Sequence, residues 1–204
     1  MKIKFCGFTR QEDIDTAVKL GVDALGFIFY KKSPRYIEPE KAAAIIAALP
    51  PFVQSVGVFV NHSAAEIQRI TDSCQLDIVQ LHGDESPDFC ENLSSKVIKA
   101  FRVSTEADLD PIADYKGKVS AILLDTKSSK GYGGTGEVFD WRLAIKAKKL
   151  GIPLILSGGL NAQNIKNAVN DVAPYALDLS SGIEKSPGIK DESLMASLLS
   201  ILDT

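Results

Sequence analysis

The sequence predicts an α/β protein in which eight β-strands and the helices between them close into a compact (β/α)8 barrel. Short apolar, β-branched runs alternate with longer amphipathic segments from one end of the chain to the other, which is typical of a parallel sheet whose crossovers are helices. Glycines at Gly21 and Gly151 stand where helical patterns end and the next strand begins. Residues 1–204 are therefore predicted to form a single barrel domain, close to the lower size limit of about 200 residues for this fold.

The eight predicted strands follow one another at regular intervals. They are Ile3–Cys6, Ala24–Phe29, Gln54–Val60, Asp77–His82, Lys96–Phe101, Ser120–Asp125, Pro153–Ser157 and Ala176–Ser180. The segment TEADLDPIADYKG after the fifth strand contains Pro111, which predicts a short or irregular helix. The alternative architecture, an open doubly wound sheet, predicts a glycine-rich GxGxxG turn after the first strand. The segment CGFTRQED lacks that turn, and this favours the barrel.

The composition argues against several classes of binding partner and site. The chain is 45% hydrophobic and 24% charged, with a net charge of -3, so it lacks the basic surface expected of a protein that binds nucleic acid or an anionic membrane. No apolar run approaches the roughly 18 residues needed to span a bilayer, and the amino terminus does not read as a signal peptide. Three widely spaced cysteines and two histidines predict neither a metal site nor a disulfide framework. We expect a reduced, cytoplasmic protein.

The carboxyl ends of the predicted strands carry unusually polar side chains. Active sites of this fold lie at those ends, and the residues found there are Cys6, Gln80, His82, Asp125, Ser157–Gly159 and Ser180–Gly182. Because side chains alternate along a strand, Lys4 and Cys6 share one face of the first strand and the apolar Phe5 lies on the other. We expect Lys4 and Cys6 to point into the barrel.

The same alternation predicts a buried ion pair. Asp125 shares its face with small and apolar residues of the sixth strand, which points it inward at the mouth of the barrel. Asp178 and Ser180 share a face of the eighth strand, which becomes the neighbour of the first strand when the barrel closes. Because an unpaired buried ammonium is very costly, we predict that Lys4 pairs with Asp178, in a structural rather than a catalytic role.

Two loops with small residues predict a phosphate site. The segment SGGLNAQNI follows the seventh strand, and DLSSGIEKSPGIKD follows the eighth. Loops after these two strands often bind phosphate in such barrels, because small residues let backbone N–H groups approach the anion. The residues concerned are Gly158, Gly159, Ser180, Ser181 and Gly182.

Two other loops are candidates for contact with a ligand. The glycine-rich segment GYGGTGEVFDW, residues 131–141, lies in the longest loop and is predicted to act as a lid over the mouth, with Trp141 anchoring its return. It lacks the lysine of a GxxxxGK[ST] nucleotide loop. In KKSPRYIEP, Pro34 and Pro39 stiffen the loop around Arg35, whose planar guanidinium suits a carboxylate.

The sequence closely resembles the phosphoribosylanthranilate isomerase family, TIM-barrel enzymes of tryptophan biosynthesis. The resemblance spans nearly the whole chain, in the stretches KFCGFTR, GFIFYKKSPRYI, VGVFVN, VQLHGDE, LLDTKSSKGYGGTGEVFDW, ILSGGLNAQNI and LDLSSGIEKSPGIKD. It implies a cofactor-free Amadori rearrangement of a small-molecule phosphoribosyl substrate, N-(5'-phosphoribosyl)anthranilate, to 1-(2-carboxyphenylamino)-1-deoxyribulose 5-phosphate. The last stretch reads ALDLSSG where VDVSSG is expected, a change that keeps the aspartate and both serines.

The resemblance also implies roles for individual residues. Cys6 matches the general base, Asp125 the general acid, and Arg35 the residue that contacts the anthranilate carboxylate. Strands one and six are not neighbours, so Cys6 and Asp125 can flank a substrate. The predicted substrate-binding set, with no metal ligand in it, is Arg35, Gly158, Gly159, Asp178, Ser180, Ser181 and Gly182.

Other possible functions of this sequence would require different residues at some of these positions. The related histidine-pathway isomerase has aspartate where Cys6 stands, and a catalytically silent phosphosugar-binding barrel would lack Cys6 or Asp125. Indole-glycerol-phosphate synthase needs lysines and a glutamate that are not in place here. A bifunctional enzyme stays open, as do a monomer and a homodimer. A hydrogen bond to substrate and a hydrogen bond to the backbone of a neighbouring loop are equally good explanations for Gln80 and His82, whereas Cys74 and Cys90 are expected to pack in the core.

Overall fold

Eight parallel strands form a closed barrel in sequential order, as predicted. The computed structural model describes residues 1–126 and 140–202. The strands are β1 (Lys2–Cys6), β2 (Ala24–Ile28), β3 (Gln54–Phe59), β4 (Ile78–Leu81), β5 (Lys96–Val103), β6 (Ala121–Thr126), β7 (Leu154–Leu156) and β8 (Ala176–Leu179). The predicted lid lies outside the described residues apart from Asp140 and Trp141, so its role stays a prediction.

Helices surround the barrel. They are α1 (Gln11–Lys19), α2 (Pro39–Ile46), α3 (Ala64–Cys74), α4 (Pro87–Glu91), α5 (Trp141–Lys148), α6 (Ile165–Val172) and α7 (Glu192–Leu202). The segment after β5 is a 3₁₀ helix, Glu106–Tyr115, with Pro111 inside it. This agrees with the irregular helix expected there, since proline cannot donate a backbone hydrogen bond.

An unpredicted element follows β8. A short 3₁₀ helix, Ser181–Ile183, leads into the antiparallel strands β9 (Glu184–Ser186) and β10 (Ile189–Lys190). We refer to residues 184–190 as the β9–β10 hairpin. Strands of three and two residues are too short to show an alternating pattern, so the sequence gives no strand signal there.

Two apolar clusters hold the fold together. The larger one lies between the strands and the helices and includes Phe5 and Phe27, as well as Cys74 and Cys90, which confirms that these two cysteines pack in the core. The smaller cluster lies inside the barrel, and its members are Ile98, Ala100, Ala121, Leu123, Ile155 and Ala176. Because Ala121 and Leu123 precede Asp125 on the same face of β6, the inside of the barrel changes from apolar to polar toward the carboxyl ends of the strands.

No helix among residues 1–126 and 140–202 is both long and apolar enough to cross a membrane. Within the same ranges, no three His, Cys, Asp or Glu side chains gather closely enough to hold a metal ion.

Candidate active site

A pocket opens at the carboxyl ends of the strands. It brings together almost all of the predicted site residues, from five different segments of the chain. The predicted residues in its lining are Cys6, Arg35, Asp125, Gly158, Gly159, Asp178, Ser180 and Ser181. Gly182 is not in the described lining, but it follows Ser181, which is. Gln80 and His82, which the sequence left without a role, also line the pocket.

Cys6 is the last residue of β1 and points into the barrel, as its alternation with Phe5 predicts. Its side chain is 5% exposed, and Gly26 stands beside it in the register of β1 and β2. A Cβ atom on Gly26 would lie 2.6 Å from the Cys6 Sγ, so glycine is needed there to leave room for the thiol. The backbone of Gly26 therefore forms one wall of the space that Cys6 occupies.

Charges near Cys6 partly offset the effect of its burial. Desolvation raises the pKa of the Cys6 thiol above its ordinary value. The ammonium groups of Lys4 and Lys190 lower that pKa, whereas the Asp178 carboxylate raises it, and the net shift is upward. Cys6 is consequently a thiol in most molecules at neutral pH, and the reactive thiolate is the minor form.

Lys4 and Asp178 form the predicted ion pair. The Lys4 Nζ lies 2.8 Å from the Asp178 Oδ1, and both side chains are buried. Burial is the largest effect and lowers the pKa of Lys4, but the attraction and hydrogen bonds of Asp178 and Cys6 together outweigh it, and the net shift is upward. The Ser157 hydroxyl donates to the other carboxylate oxygen at 3.4 Å. Asp178 also lines the pocket, so the acidic member of the pair is part of its wall.

Asp125 accepts one hydrogen bond at one carboxylate oxygen and lies close to His82 at the other. The backbone N–H of Thr126 donates to Oδ1 at 2.8 Å, and the Nε2 atom of His82 lies 3.4 Å from Oδ2. The Gln80 amide contacts the His82 Nδ1 at 3.2 Å. If the Gln80 Nε2 donates to Nδ1, the proton of a neutral His82 resides on Nε2 and faces Asp125. This arrangement gives His82 and Gln80 a place beside the predicted acid that the sequence alone did not reveal.

The loops after β7 and β8 meet backbone to backbone. Gly158 has a φ of +86°, and a Cβ there would lie 2.4 Å from the Thr126 Oγ1. A Cβ on Gly182 would lie 2.0 Å from the carbonyl oxygen of Leu160, so this glycine lets the two loops pack together. The structure thus brings the two predicted phosphate loops together, with Gly158, Gly159 and Ser181 facing the pocket.

Arg35 lies in the pocket wall rather than on the surface, with only 6% of the residue exposed. Its Nε atom donates to both carboxylate oxygens of Glu184, at 3.0 and 3.1 Å, and its Nη2 donates to the Glu184 Oε2 at 2.7 Å. Gly7 has a φ of +85°, and a Cβ there would lie 2.6 Å from the Arg35 Cδ. Gly7 therefore lets the arginine stem pass close to the backbone that follows Cys6.

Glu184 and Lys190 are the site residues that the sequence analysis missed. They pair across the β9–β10 hairpin, with the Lys190 Nζ 2.8 Å from the Glu184 Oε1. Lys190 also donates to the backbone carbonyl of Cys6. The available signal was the sequence EKSPGIK, a turn-forming Pro-Gly between a glutamate and a lysine, which the phosphate-loop interpretation left unused.

Comparisons with known proteins agree on one family. Residues 3–200 match the family described as N-(5'phosphoribosyl)anthranilate (PRA) isomerase. A protein of that name from Trichlorobacter lovleyi is 52% identical over 191 residues, which cover 94% of this chain and 92% of the relative. The crystal structure of phosphoribosyl anthranilate isomerase from Thermotoga maritima superposes with a TM-score of 0.94 at 43% identity, covering 100% of this chain and 98% of the other.

A second solved structure adds a ligand to the comparison. It is described as phosphoribosyl anthranilate isomerase in complex with reduced 1-(o-carboxyphenylamino)-1-deoxyribulose 5-phosphate. Its TM-score is 0.90 at 40% identity, and the match covers 100% of this chain and 98% of that one.

Proposed function

The chain belongs to the N-(5'-phosphoribosyl)anthranilate isomerase family, and we propose that Cys6 and Asp125 perform the proton transfers of that family's reaction. The enzyme isomerises N-(5'-phosphoribosyl)anthranilate to 1-(2-carboxyphenylamino)-1-deoxyribulose 5-phosphate in tryptophan biosynthesis. The observation that carries the assignment of residues is that a buried thiol and a buried carboxyl group, from β1 and β6, line one pocket.

The first chemical step opens the ribofuranosylamine ring. Asp125 in its protonated form gives its proton to the ring oxygen, and the bond between that oxygen and C1' breaks. The nitrogen lone pair forms a double bond to C1', which yields a protonated Schiff base, and Asp125 becomes a carboxylate. His82, whose Nε2 faces the Asp125 Oδ2, is placed to hold this carboxyl group in one orientation.

The second step removes the proton from C2'. The Cys6 thiolate accepts that proton, and the electron pair of the C–H bond forms a C1'–C2' double bond, giving an enolamine. Protonation at C1' and loss of the C2' hydroxyl proton then produce the ketone. Each step is a proton transfer that one acid and one base can supply, so the proposed mechanism uses neither a cofactor nor a metal ion.

The remaining pocket residues position the two ends of the substrate. We assign the phosphate group to the loops carrying Gly158, Gly159, Ser181 and Gly182, since closely approaching backbone suits an anion. We assign Ser180 and Asp178, which line the same pocket, to the ribose. Arg35 is assigned to the anthranilate carboxylate, because guanidinium and carboxylate groups form strong charge-assisted hydrogen bonds.

Two broader expectations belong with this proposal. We propose that residues 1–204 act as one barrel domain. We also propose that the enzyme works in the cytoplasm, where the free thiols of Cys6, Cys74 and Cys90 stay reduced.

The assignment is tested by assaying conversion of phosphoribosylanthranilate by Cys6→Ala, Asp125→Asn and wild-type enzyme. Cys90→Ala is the matched control, since Cys90 is buried and lies outside the pocket. Loss of a general acid or base costs about 10²- to 10⁴-fold in rate, so both site variants should lose activity to that extent while Cys90→Ala keeps it. A folded Cys6→Ala or Asp125→Asn enzyme with near wild-type turnover would overturn the assignment.

The phosphate site is tested separately. If the loops after β7 and β8 bind phosphate, inorganic phosphate should raise the melting temperature of the wild type.

A further inference from the structure

Three buried charges connect the β9–β10 hairpin to the pocket. The side chains of all three are buried: that of Glu184 is 3% exposed, that of Arg35 is 8% exposed, and that of Lys190 is fully buried. One carboxylate thus accepts hydrogen bonds from two cations, with the Arg35 Nη2 at 2.7 Å and the Lys190 Nζ at 2.8 Å. The group of three carries a net positive charge when all are ionised, which leaves it suited to one further anion.

The guanidinium of Arg35 is held by one edge only. Its Nε and Nη2 atoms face Glu184, whereas Nη1 has no partner among the described residues. A guanidinium is planar and its five donors have fixed directions. Fixing the Nε–Nη2 edge therefore also fixes the direction of Nη1. This matters for a ligand because Arg35 lies in the pocket wall.

The position of Glu184 is itself fixed by the hairpin. The N–H of Gly188 donates to the Glu184 Oε1 at 3.3 Å, and the Thr9 hydroxyl donates to the Gly188 carbonyl at 2.7 Å. The backbone N–H of Lys190 donates to Asp13 in α1 at 3.0 Å. The hairpin is thereby attached to the loop and helix that follow β1, the strand that ends at Cys6.

We propose that Glu184 is a positioning residue that gives the enzyme its selectivity for a substrate with an aromatic carboxylate. It does so by holding the Nε–Nη2 edge of Arg35, so that the remaining donors of the guanidinium meet that carboxylate in one geometry. Lys190 offsets the charge of Glu184 and, through its bond to the Cys6 carbonyl, ties the hairpin to the strand that carries the base. This inference rests on the proposed role of Arg35.

The test compares two ligands that differ by one group. The first is reduced 1-(o-carboxyphenylamino)-1-deoxyribulose 5-phosphate, and the second is the same molecule without the ring carboxylate. Wild-type enzyme should prefer the first. Glu184→Gln removes the charge, and Glu184→Asp keeps the charge but withdraws it from the guanidinium. Both should reduce the preference by about 10-fold or more, because hydrogen bonds between charged groups contribute roughly that much, and affinity for the second ligand should stay the same.

Glu85→Gln is the matched control. Glu85 is also a buried carboxylate in an ion pair, with the Lys99 Nζ 3.0 Å away, and it lies outside the pocket lining. Its replacement should leave the preference unchanged. If the Glu184 variants keep the wild-type preference, or bind the carboxylated ligand more tightly, Glu184 is only a structural counter-ion and the inference is wrong. If wild-type enzyme itself shows no preference, the proposed role of Arg35 fails instead.

Discussion

The Nε2 atom of His82 lies 3.4 Å from the Oδ2 of Asp125, while the N–H of Thr126 holds the Oδ1 at 2.8 Å. The Nε2 atom is buried and has no well-aligned hydrogen-bond partner among the described residues, so the contact is one of proximity in this structure. It connects the end of β4 to the end of β6 across the pocket. From this proximity we predict that His82 influences the reaction through the orientation of Asp125, the proposed acid.

Replacing His82 tests that role. We expect His82→Ala to lower kcat by about 10- to 100-fold, the scale expected when a reacting group moves by about 1 Å, with little change in KM. The measurement is steady-state kinetics with His62→Ala as the control, since His62 is the other histidine and is absent from the described pocket lining. A kcat within twofold of the wild-type value would show that His82 does not position Asp125.

The pH profile tests the ionisation of the base. Burial raises the pKa of Cys6, and only the thiolate reacts with an alkylating agent, so the rate at which iodoacetamide modifies Cys6 in a Cys74→Ala, Cys90→Ala enzyme should increase with pH into the alkaline range. Lys190 lowers this pKa, so Lys190→Met should move the rising limb to higher pH. A limb that Lys190→Met leaves in place, or moves to lower pH, would contradict the assignment.

The Lys4–Asp178 pair makes a prediction about stability. Lys4→Met leaves a buried carboxylate without its partner, and we expect the free energy of unfolding to fall by about 3–5 kcal/mol. The double variant Lys4→Met with Asp178→Asn should recover much of that loss. Urea unfolding measures both, with Lys2→Met as the control at the more exposed Lys2–Asp23 pair, where the loss should be far smaller. Equal losses in Lys4→Met and Lys2→Met would contradict the prediction.

Replacing Gly26 by alanine tests how little free space surrounds the Cys6 thiol. A Cβ there meets the Cys6 Sγ at 2.6 Å and the Cys6 Cα at 3.0 Å, and one at Gly57 meets Leu76 and Phe59 instead. Both alanine variants should lose about 1–3 kcal/mol of stability through overpacking. Gly26→Ala alone should also lower the kcat of the folded enzyme. Unchanged kcat in Gly26→Ala would mean that Cys6 tolerates displacement.

The parts of the site that could be predicted are those that lie in regular strands, where the sequence has a periodic pattern. Side-chain alternation and closure of the barrel were sufficient to pair Lys4 with Asp178, because each residue lies inside a regular strand whose neighbour is known. Arg35 and Glu184 are 149 residues apart, and neither lies in a barrel strand. Their contact depends on the reach of a long side chain and on a hairpin with strands of three and two residues, neither of which leaves a periodic signal.

The assignment of Cys6 as the base and Asp125 as the acid is tested most directly by a deuterium label at C2' of the substrate. In single-turnover experiments, Cys6→Ser should show a primary isotope effect at least as large as that of the wild type, because removal of the C2' proton becomes the slow step. Asp125→Asn should show almost none, because ring opening, which breaks no C2'–H bond, becomes limiting. The opposite pattern, with the isotope effect lost in Cys6→Ser and kept in Asp125→Asn, would contradict the assignment of Cys6 as base and Asp125 as acid.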